Sequence, residues 1–566
     1  MAEYLSPGVY VEEYDSSSRA IEGVGTSTAG FVGMAVKGPV EGAPQFVSSY
    51  AEFTRRFGGY LNEFTHGEYR FLAPAVEQFF ANGGTRCFVM RVAPKDAKEA
   101  SASAGVLTIK AADPGVWGNR IQVFFETQQQ KKFQLMEKVA DAVYKAKNFA
   151  GLREGDIVCA GEEYNRVESI FDDQITFSKD FEADYVDAAL VPKKVIHIVA
   201  FGITVRYGDT VEIYNGLNFN AVSPDYIGTR MAGSALVKID VTPSGNIGNP
   251  VAEILGEGNE AGTIVLAGGT DGNIDRVNAG TFIGVDGGPG KRTGIQAFLE
   301  NNLVSMMAVP GVTTPEVLIS LISHCENLKS RFAVMDMPRD MADLKELGDF
   351  RGMFDSTYAA MYHPWLQSFD RSTEKNAFFP PSGAVMGIYA KTDVERGVHK
   401  APANETVACT GLNINFGKAE QDILNPQGIN LIRALPGQGI RVWGARTASS
   451  NASFKYVNVR RLFIYVEESI KANTNWVVFE PNDQTLWTRV GMSISGFLNT
   501  MWRNGMFAGA TPEESYFVDI GPTTMTQDDI QNGRLICNIG IAPSRPAEFV
   551  IFRVTQFTAE AGGGEE

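Results

Sequence analysis

Hydrophobic positions along the chain follow two periods. Residues 30–36 and 86–92 (RCFVMRV) are short apolar runs bounded by turn residues, which predicts strands buried on both faces. Between them, 48–57 reads as a short helix closed by Gly58 and Gly59. Residues 71–81 read as a longer helix with Leu72, Ala75, Val76, Phe79 and Phe80 on one face and Gly83 and Gly84 at its end. The 3.6-residue period returns at 313–328, where Thr314 is placed to cap, Pro315 stands first and Glu316 favours the N-terminal dipole. A strand, 331–337 (RFAVMDM), follows it.

Later, 456–472 predicts a helix with Val459, Leu462, Phe463, Val466 and Ile470 inward and Arg460, Arg461, Glu467, Glu468 and Lys471 outward. Asp483 is placed to cap a further helix carrying Leu486, Val490, Ile494, Phe497, Leu498 and Met501. Period two marks Val9, Val11 and Glu13 against Tyr10, Glu12 and Tyr14, then Leu535, Cys537, Ile539 and Ile541, and a last strand at 549–557. From about 100 to 262 the pattern breaks into short strand candidates, with a charged amphipathic helix expected at 131–146. Residues 425–449 look rich in turns, with strand character at 440–443.

These elements predict a multidomain, mixed α/β (α+β) chain. The expected order is an N-terminal strand arm, 1–22; a first part of an α/β core, 23–99; a peripheral, mostly β insertion, 100–265; a second core part, 266–400; a C-terminal domain, 401–540; and a strand arm with a loose tail, 541–566. A terminal strand without a hairpin partner has to pair with a distant sheet or with a neighbour's open edge.

Composition narrows the function. With 566 residues and 44% hydrophobic content there is material for several cores. A net charge of −16 argues against coating nucleic acid and for a chain that repels its copies until docked. The five cysteines, Cys87, Cys159, Cys325, Cys409 and Cys537, form no paired spacing, so neither a disulfide framework nor a zinc site is expected. The first residues lack the basic and apolar regions of a signal peptide, and no run approaches the roughly 18 apolar residues of a membrane span.

Candidate chemistry is sparse. GGPGKRT at 287–293 fails as a phosphate loop because Val285 and Arg292 stand where Gly and Ser or Thr are needed. Gly256, Gly258 and Ala261 fit a dinucleotide pattern but lead into a strand rather than a helix. Ser27, in GTSTA, precedes its strand, whereas a nucleophile elbow follows one. The five histidines show no metal-ligand spacing. The densest charge cluster is Asp393, Glu395, Arg396, His399 and Lys400 within PPSGAVMGIYAKTDVERGVHKAPAN, 380–404. Its flanking Gly and Pro predict a fixed irregular loop. Two acids beside a histidine suit acid–base work, but the same charges serve equally as an internal clamp.

That stretch, with LNPQGINLIRALPGQGIRVWGARTAS at 424–449 and YVNVRRLFIYVEESI at 456–470, resembles the motif blocks of contractile tail sheath proteins. YLSPGVYVEE at 4–13 and IGIAPSRPAEFVIFRVTQ at 539–556 resemble the family's two arms, and ADPGVWGN at 112–119 and LAGGTDG at 266–272 also fit its pattern. Residues 131–195 match nothing in it and read as a subtype-specific insertion.

The resemblance implies a structural subunit rather than an enzyme, without cofactor or metal. Such subunits form six-fold rings stacked helically around an inner tube, bounded by baseplate and terminator proteins, and contract to drive the tube through a cell envelope. Neither nucleic acid nor membrane insertion is implied, and assembly would occur in the producing cell's cytoplasm before the particle acts or is released. Val9, Tyr10, Val11 and Glu12 would form the N-terminal inter-subunit strand, and Phe549, Val550, Ile551, Phe552, Arg553 and Val554 the C-terminal one. Arg460, Arg461 and Lys471 are candidates for tube contact. Two other classes stay open: a non-contractile shell or surface-lattice protein, and an enzyme centred on Asp393 to His399.

Overall fold

A computed structural model describes residues 20–186, 194–242 and 247–551. Its centre is a nine-stranded sheet of β1 (Ala29–Met34), β2 (Gln45–Val47), β3 (Cys87–Val92), β4 (Met306–Ala308), β5 (Phe332–Asp336), β6 (Ala359–His363), β7 (Glu405–Thr406), β8 (Ile429–Leu435) and β9 (Gly439–Val442), in the order β2-β3-β1-β4-β5-β6-β8-β9-β7. The six strands from β3 to β8 run parallel, and β2, β9 and β7 add antiparallel edges. β1, β5 and β6 are buried at every position, as a sheet covered on both faces requires. Residues from both sides of the insertion thus build one sheet.

Helices α1 (Leu72–Ala81), α2 (Pro315–Leu328) and α3 (Ser382–Arg396) cover it. α2 starts where the sequence indicates, with Thr314 at the cap position, but the Thr314 side chain accepts no helix N–H. α3 corrects the expected loop at 380–404. Gly383 and Gly387 read as breakers, yet they lie one turn apart on a helix face pressed against the α1 backbone. A Cβ at Gly383 would come within 2.2 Å of the Ala75 carbonyl oxygen, and one at Gly387 within 2.4 Å of that of Phe79. Close helix approach, not chain reversal, is what these glycines supply. β8 is a second element that local turn residues concealed.

The inserted region is antiparallel throughout its named strands. The helix expected at 131–146 is absent. Gln122–Ala140 is a single 19-residue strand, and Val143–Lys147 pairs back on it. Phe133 and Leu135, then Tyr144 and Ala146, are buried alternately with polar neighbours, so period two and cross-strand pairing override the helix-forming Lys, Glu and Ala. The long strand and its partner Ile196–Tyr207 run through two separate cores. One holds Ile109, Trp117, Phe125, Phe201 and Val205, and the other Phe133, Tyr144, Val167, Ile175 and Phe177.

Two sequence motifs close the base of this region. In ADPGVWGN the Asn119 amide donates to the Gly269 carbonyl (2.9 Å) and accepts from its N–H (2.8 Å), and Asp271 of LAGGTDG accepts from Val116 N–H at 2.9 Å. Arg91 of β3 ties the base to the core by donating to the carbonyls of Ala35 (2.9 Å), Gly38 (3.0 Å) and Pro114 (2.8 Å).

The C-terminal part packs α4 (Val457–Asn473) and α5 (Gln484–Arg503) with a two-stranded sheet, Tyr516–Ile520 and Cys537–Ile541. As expected, Asp483 caps α5, accepting from Leu486 N–H at 2.9 Å. Gly383→Ala or Gly387→Ala should push α3 off α1 and cost about 1–3 kcal/mol, the range of core overpacking. Urea denaturation reads this directly, and an unchanged midpoint for both variants would refute the close-approach account.

Candidate assembly site at the roots of the terminal segments

α4 is amphipathic, but its buried side includes two arginines that the sequence pattern placed outward. The Arg461 and Asp393 side chains are each only 3% exposed and pair bidentately, Nη1 to Oδ1 at 2.8 Å and Nη2 to Oδ2 at 2.5 Å. The guanidinium also lies 4.8 Å from the Tyr389 ring centroid. Burial pulls the Arg461 pKa down, but the Asp393 charge and hydrogen bonds outweigh it and raise it. Arg460 is buried between Phe454 and Tyr358, 3.5 and 4.4 Å from their ring centroids. Both arginines are therefore internal and unavailable to an inner tube. A buried aromatic cleft and a buried carboxylate from distant sequence accommodate them, and helical periodicity carries no signal of either. Lys471 is on the surface, paired with Glu468 at 3.3 Å.

The same pair answers the acid–base reading of 393–399. Asp393 is committed to Arg461, and the His399 carbonyl accepts from Asn458 Nδ2 at 2.7 Å. Burial, then nearby Arg396, lowers the His399 pKa. Clefts of about 530 and 410 Å³ open elsewhere, beside Arg339 and Trp365 and beside His66 and Asp271. Among the described residues no group of three or more His, Cys, Asp or Glu side chains could hold a metal ion, and no helix is long and apolar enough to cross a membrane.

α4 also gathers both terminal segments. On the N-terminal side, Arg461 Nη2 donates to the Thr26 carbonyl (3.0 Å), Val24 N–H donates to Ser469 Oγ (3.1 Å), and Asn473 Nδ2 donates to the Glu22 carbonyl (2.9 Å). On the C-terminal side, Glu548 accepts from Arg446 Nε and Nη2 (2.8 and 2.7 Å), Asn425 Nδ2 (2.7 Å) and the Tyr456 hydroxyl (2.9 Å). Burial pushes the Glu548 carboxyl up, but these donors outweigh it and hold its pKa down at about 2. The C-terminal root is held at the start of α4, beside Tyr456, and the N-terminal root runs along the helix from Arg461 to Asn473.

Past the Glu548 clasp the chain turns apolar and exposed. Phe549, Val550 and Ile551 are 72%, 67% and 80% exposed and belong to no strand. Phe552, Arg553 and Val554, like Val9, Tyr10, Val11 and Glu12, lie outside the described residues. The sheet of Tyr516–Ile520 and Cys537–Ile541 turns Val518, Ile520, Cys537 and Ile539 toward α5, and no third strand among the described residues pairs with either edge. The clasp escaped sequence reasoning because Glu548, Arg446, Asn425 and Tyr456 are spread over more than 120 positions without a shared motif.

Comparison with known proteins agrees with this architecture. Residues 287–448 match the family model described as phage tail sheath protein central domain, and 449–557 the phage tail sheath C-terminal domain. A prophage major tail sheath protein of Pseudomonas aeruginosa (strain UCBPP-PA14) is 24% identical over 309 residues, 52% of this chain and 78% of that one. The tail sheath protein of Escherichia phage P2 is 26% identical over 285 residues, 48% and 69% of the two chains. Among solved structures, the sheath complex of the extracellular contractile injection system PVC, in its contracted state, superposes with a TM-score of 0.54 at 21% identity, covering 99% of this chain and 100% of that one.

Asp393→Ala should strand Arg461 in the interior and cost about 3–5 kcal/mol, as removing one partner of a buried pair does. An unchanged denaturation midpoint would rule out the pair as a tie between α3 and α4. The clasp predicts an acid response. Because the folded pKa of Glu548 lies below its ordinary 4.5, its contribution is complete above 4.5 and is lost as pH falls through about 2. Hydrogen exchange at 545–551 should rise across that window, and Glu548→Gln should show the raised exchange at neutral pH. Equal protection in wild type and variant would count against the clasp.

Proposed function

The chain belongs to the phage tail sheath family, and from that premise we propose that it is the structural subunit of a contractile sheath. Copies polymerise as stacked, helically arranged six-fold rings around an inner tube and contract to drive that tube through a target cell envelope. The observations that carry the reading are an exposed apolar segment, Phe549–Ile551, and a two-stranded sheet that no third strand among the described residues joins. A sheet of two strands is marginal alone. Terminal strands donated by neighbours would complete it through main-chain hydrogen bonds, keeping subunits linked while their bodies rotate.

In this reading Val9 to Glu12 and Phe549 to Val554 are the exchanged strands. Because β7, β8 and β9 join the core sheet, the boundary expected at 400 moves: 23–99 and 266–448 form the α/β core, 449–540 the inner, tube-facing domain, and 100–265 lie at the periphery. Lys471, exposed on α4, is the remaining candidate for tube contact, through an ion pair weak enough to release. Baseplate and terminator proteins would bound the polymer, which assembles in the producing cell's cytoplasm without nucleic acid or membrane insertion. The work would come from the difference between two packings of the same subunits, so the subunit needs no bond-breaking chemistry.

Deleting residues 1–13, or the segment after Pro546, should leave a folded chain that no longer forms long sheaths. Electron microscopy of the assembled particles checks this. Normal contractile tubes from either truncation would overturn the strand-exchange account.

A further inference from the structure

The insertion contains a four-stranded antiparallel sheet in the order Thr210–Leu217, Ile196–Tyr207, Gln122–Ala140, Ala261–Val265. One face packs on the core of Val123, Phe125, Phe201 and Ile203. The opposite face looks outward, where alternation ordinarily places polar residues. Here Val211, Ile213 and Val265 are 45%, 65% and 53% exposed. Register aligns them with further apolar and β-branched positions, so that one cross-strand row runs Ile213, Thr204, Phe124, Thr263.

Two charges stand on this face, on adjacent strands and at opposite ends. Arg206 lies opposite Gln122, and Glu126 opposite Gly202, four positions along the strand, about 13 Å away at 3.3 Å per residue. The centre between them falls at Thr204 and Phe124. A two-fold axis through that centre, in the plane of contact and perpendicular to the line joining the charges, sets each copy's Arg206 over the other's Glu126. On a chain of net charge −16 the face is neutral and self-complementary, so two copies meet there without the repulsion that separates them elsewhere.

We propose that this face docks the same face of a second copy, as two aligned sheets packed about 10 Å apart. An isologous contact closes on itself as a pair, unlike the head-to-tail contacts that build rings and filaments. It would join chains of different particles, or chains not yet assembled, and it stands apart from the sheath reading.

Sedimentation velocity of the full-length chain across a concentration series tests it. Wild type should form dimers. Ile213→Asp, which places a charge at an exposed apolar position, should weaken association roughly tenfold or more. Arg206→Glu should do the same by opposing Glu126 with a second acid, and combining it with Glu126→Arg should restore dimerisation. A monomer at every concentration would overturn the proposal. So would association that ignores all three variants, as contacts through the terminal segments would, or a charge swap that fails to rescue.

Discussion

The bidentate pair of Arg461 and Asp393 is the contact on which the rest of the architecture turns. Removing two charges from water costs several kcal/mol per ion before their attraction returns it, so such a pair is weak evidence of stability and better evidence of fixed geometry. It joins α3, packed on the core sheet, to α4, which belongs to the C-terminal part. The same guanidinium also holds the Thr26 carbonyl. One side chain thus sets three segments at once, and few relative positions of them satisfy it.

From that joint outward, α4 behaves as a strut. Its first turns meet the C-terminal root through Tyr456 and Asn458, and its last turns meet the N-terminal root through Ser469 and Asn473. A pull on the N-terminal segment meets α4 and, directly along the chain, β1; one on the C-terminal segment meets α4 and, through Arg446 and Asn425, the core side as well. In the sheath reading the two roots keep a fixed separation within each subunit while the lattice around them changes.

Much of this was legible in the chain because it depends on local pattern. The buried runs of β1, β3 and β5, the faces of α1 and α5 and the Asp483 cap all stand in the structure as their residues imply. What local pattern hid has one physical source, the neighbour. Gly383 and Gly387 signal a loop until α1 lies against them. Lys131 and Lys132 favour a helix until Ile196–Tyr207 pairs alongside, and Glu137 until Val143–Lys147 does. Arg460 and Arg461 look like solvated charges until Phe454, Tyr358 and Asp393 enclose them. The candidate site fared worse than the fold because nearly all its contacts join residues far apart in sequence.

The insertion leaves the core sheet after β3 and returns at β4, and only β1 separates these two strands. Its base is sealed by the Asn119–Gly269 and Asp271–Val116 locks and by Arg91. Entry and exit being that close, the entropy of closing the excursion grows only slowly with its length. Whole β-modules can thus be gained, lost or exchanged in evolution without disturbing the register of the sheet beneath. The second core, around Phe133 and Ile175, is built on the outer stretches of two strands that also serve the first. A foreign domain grafted at the same place would inherit the same tolerance.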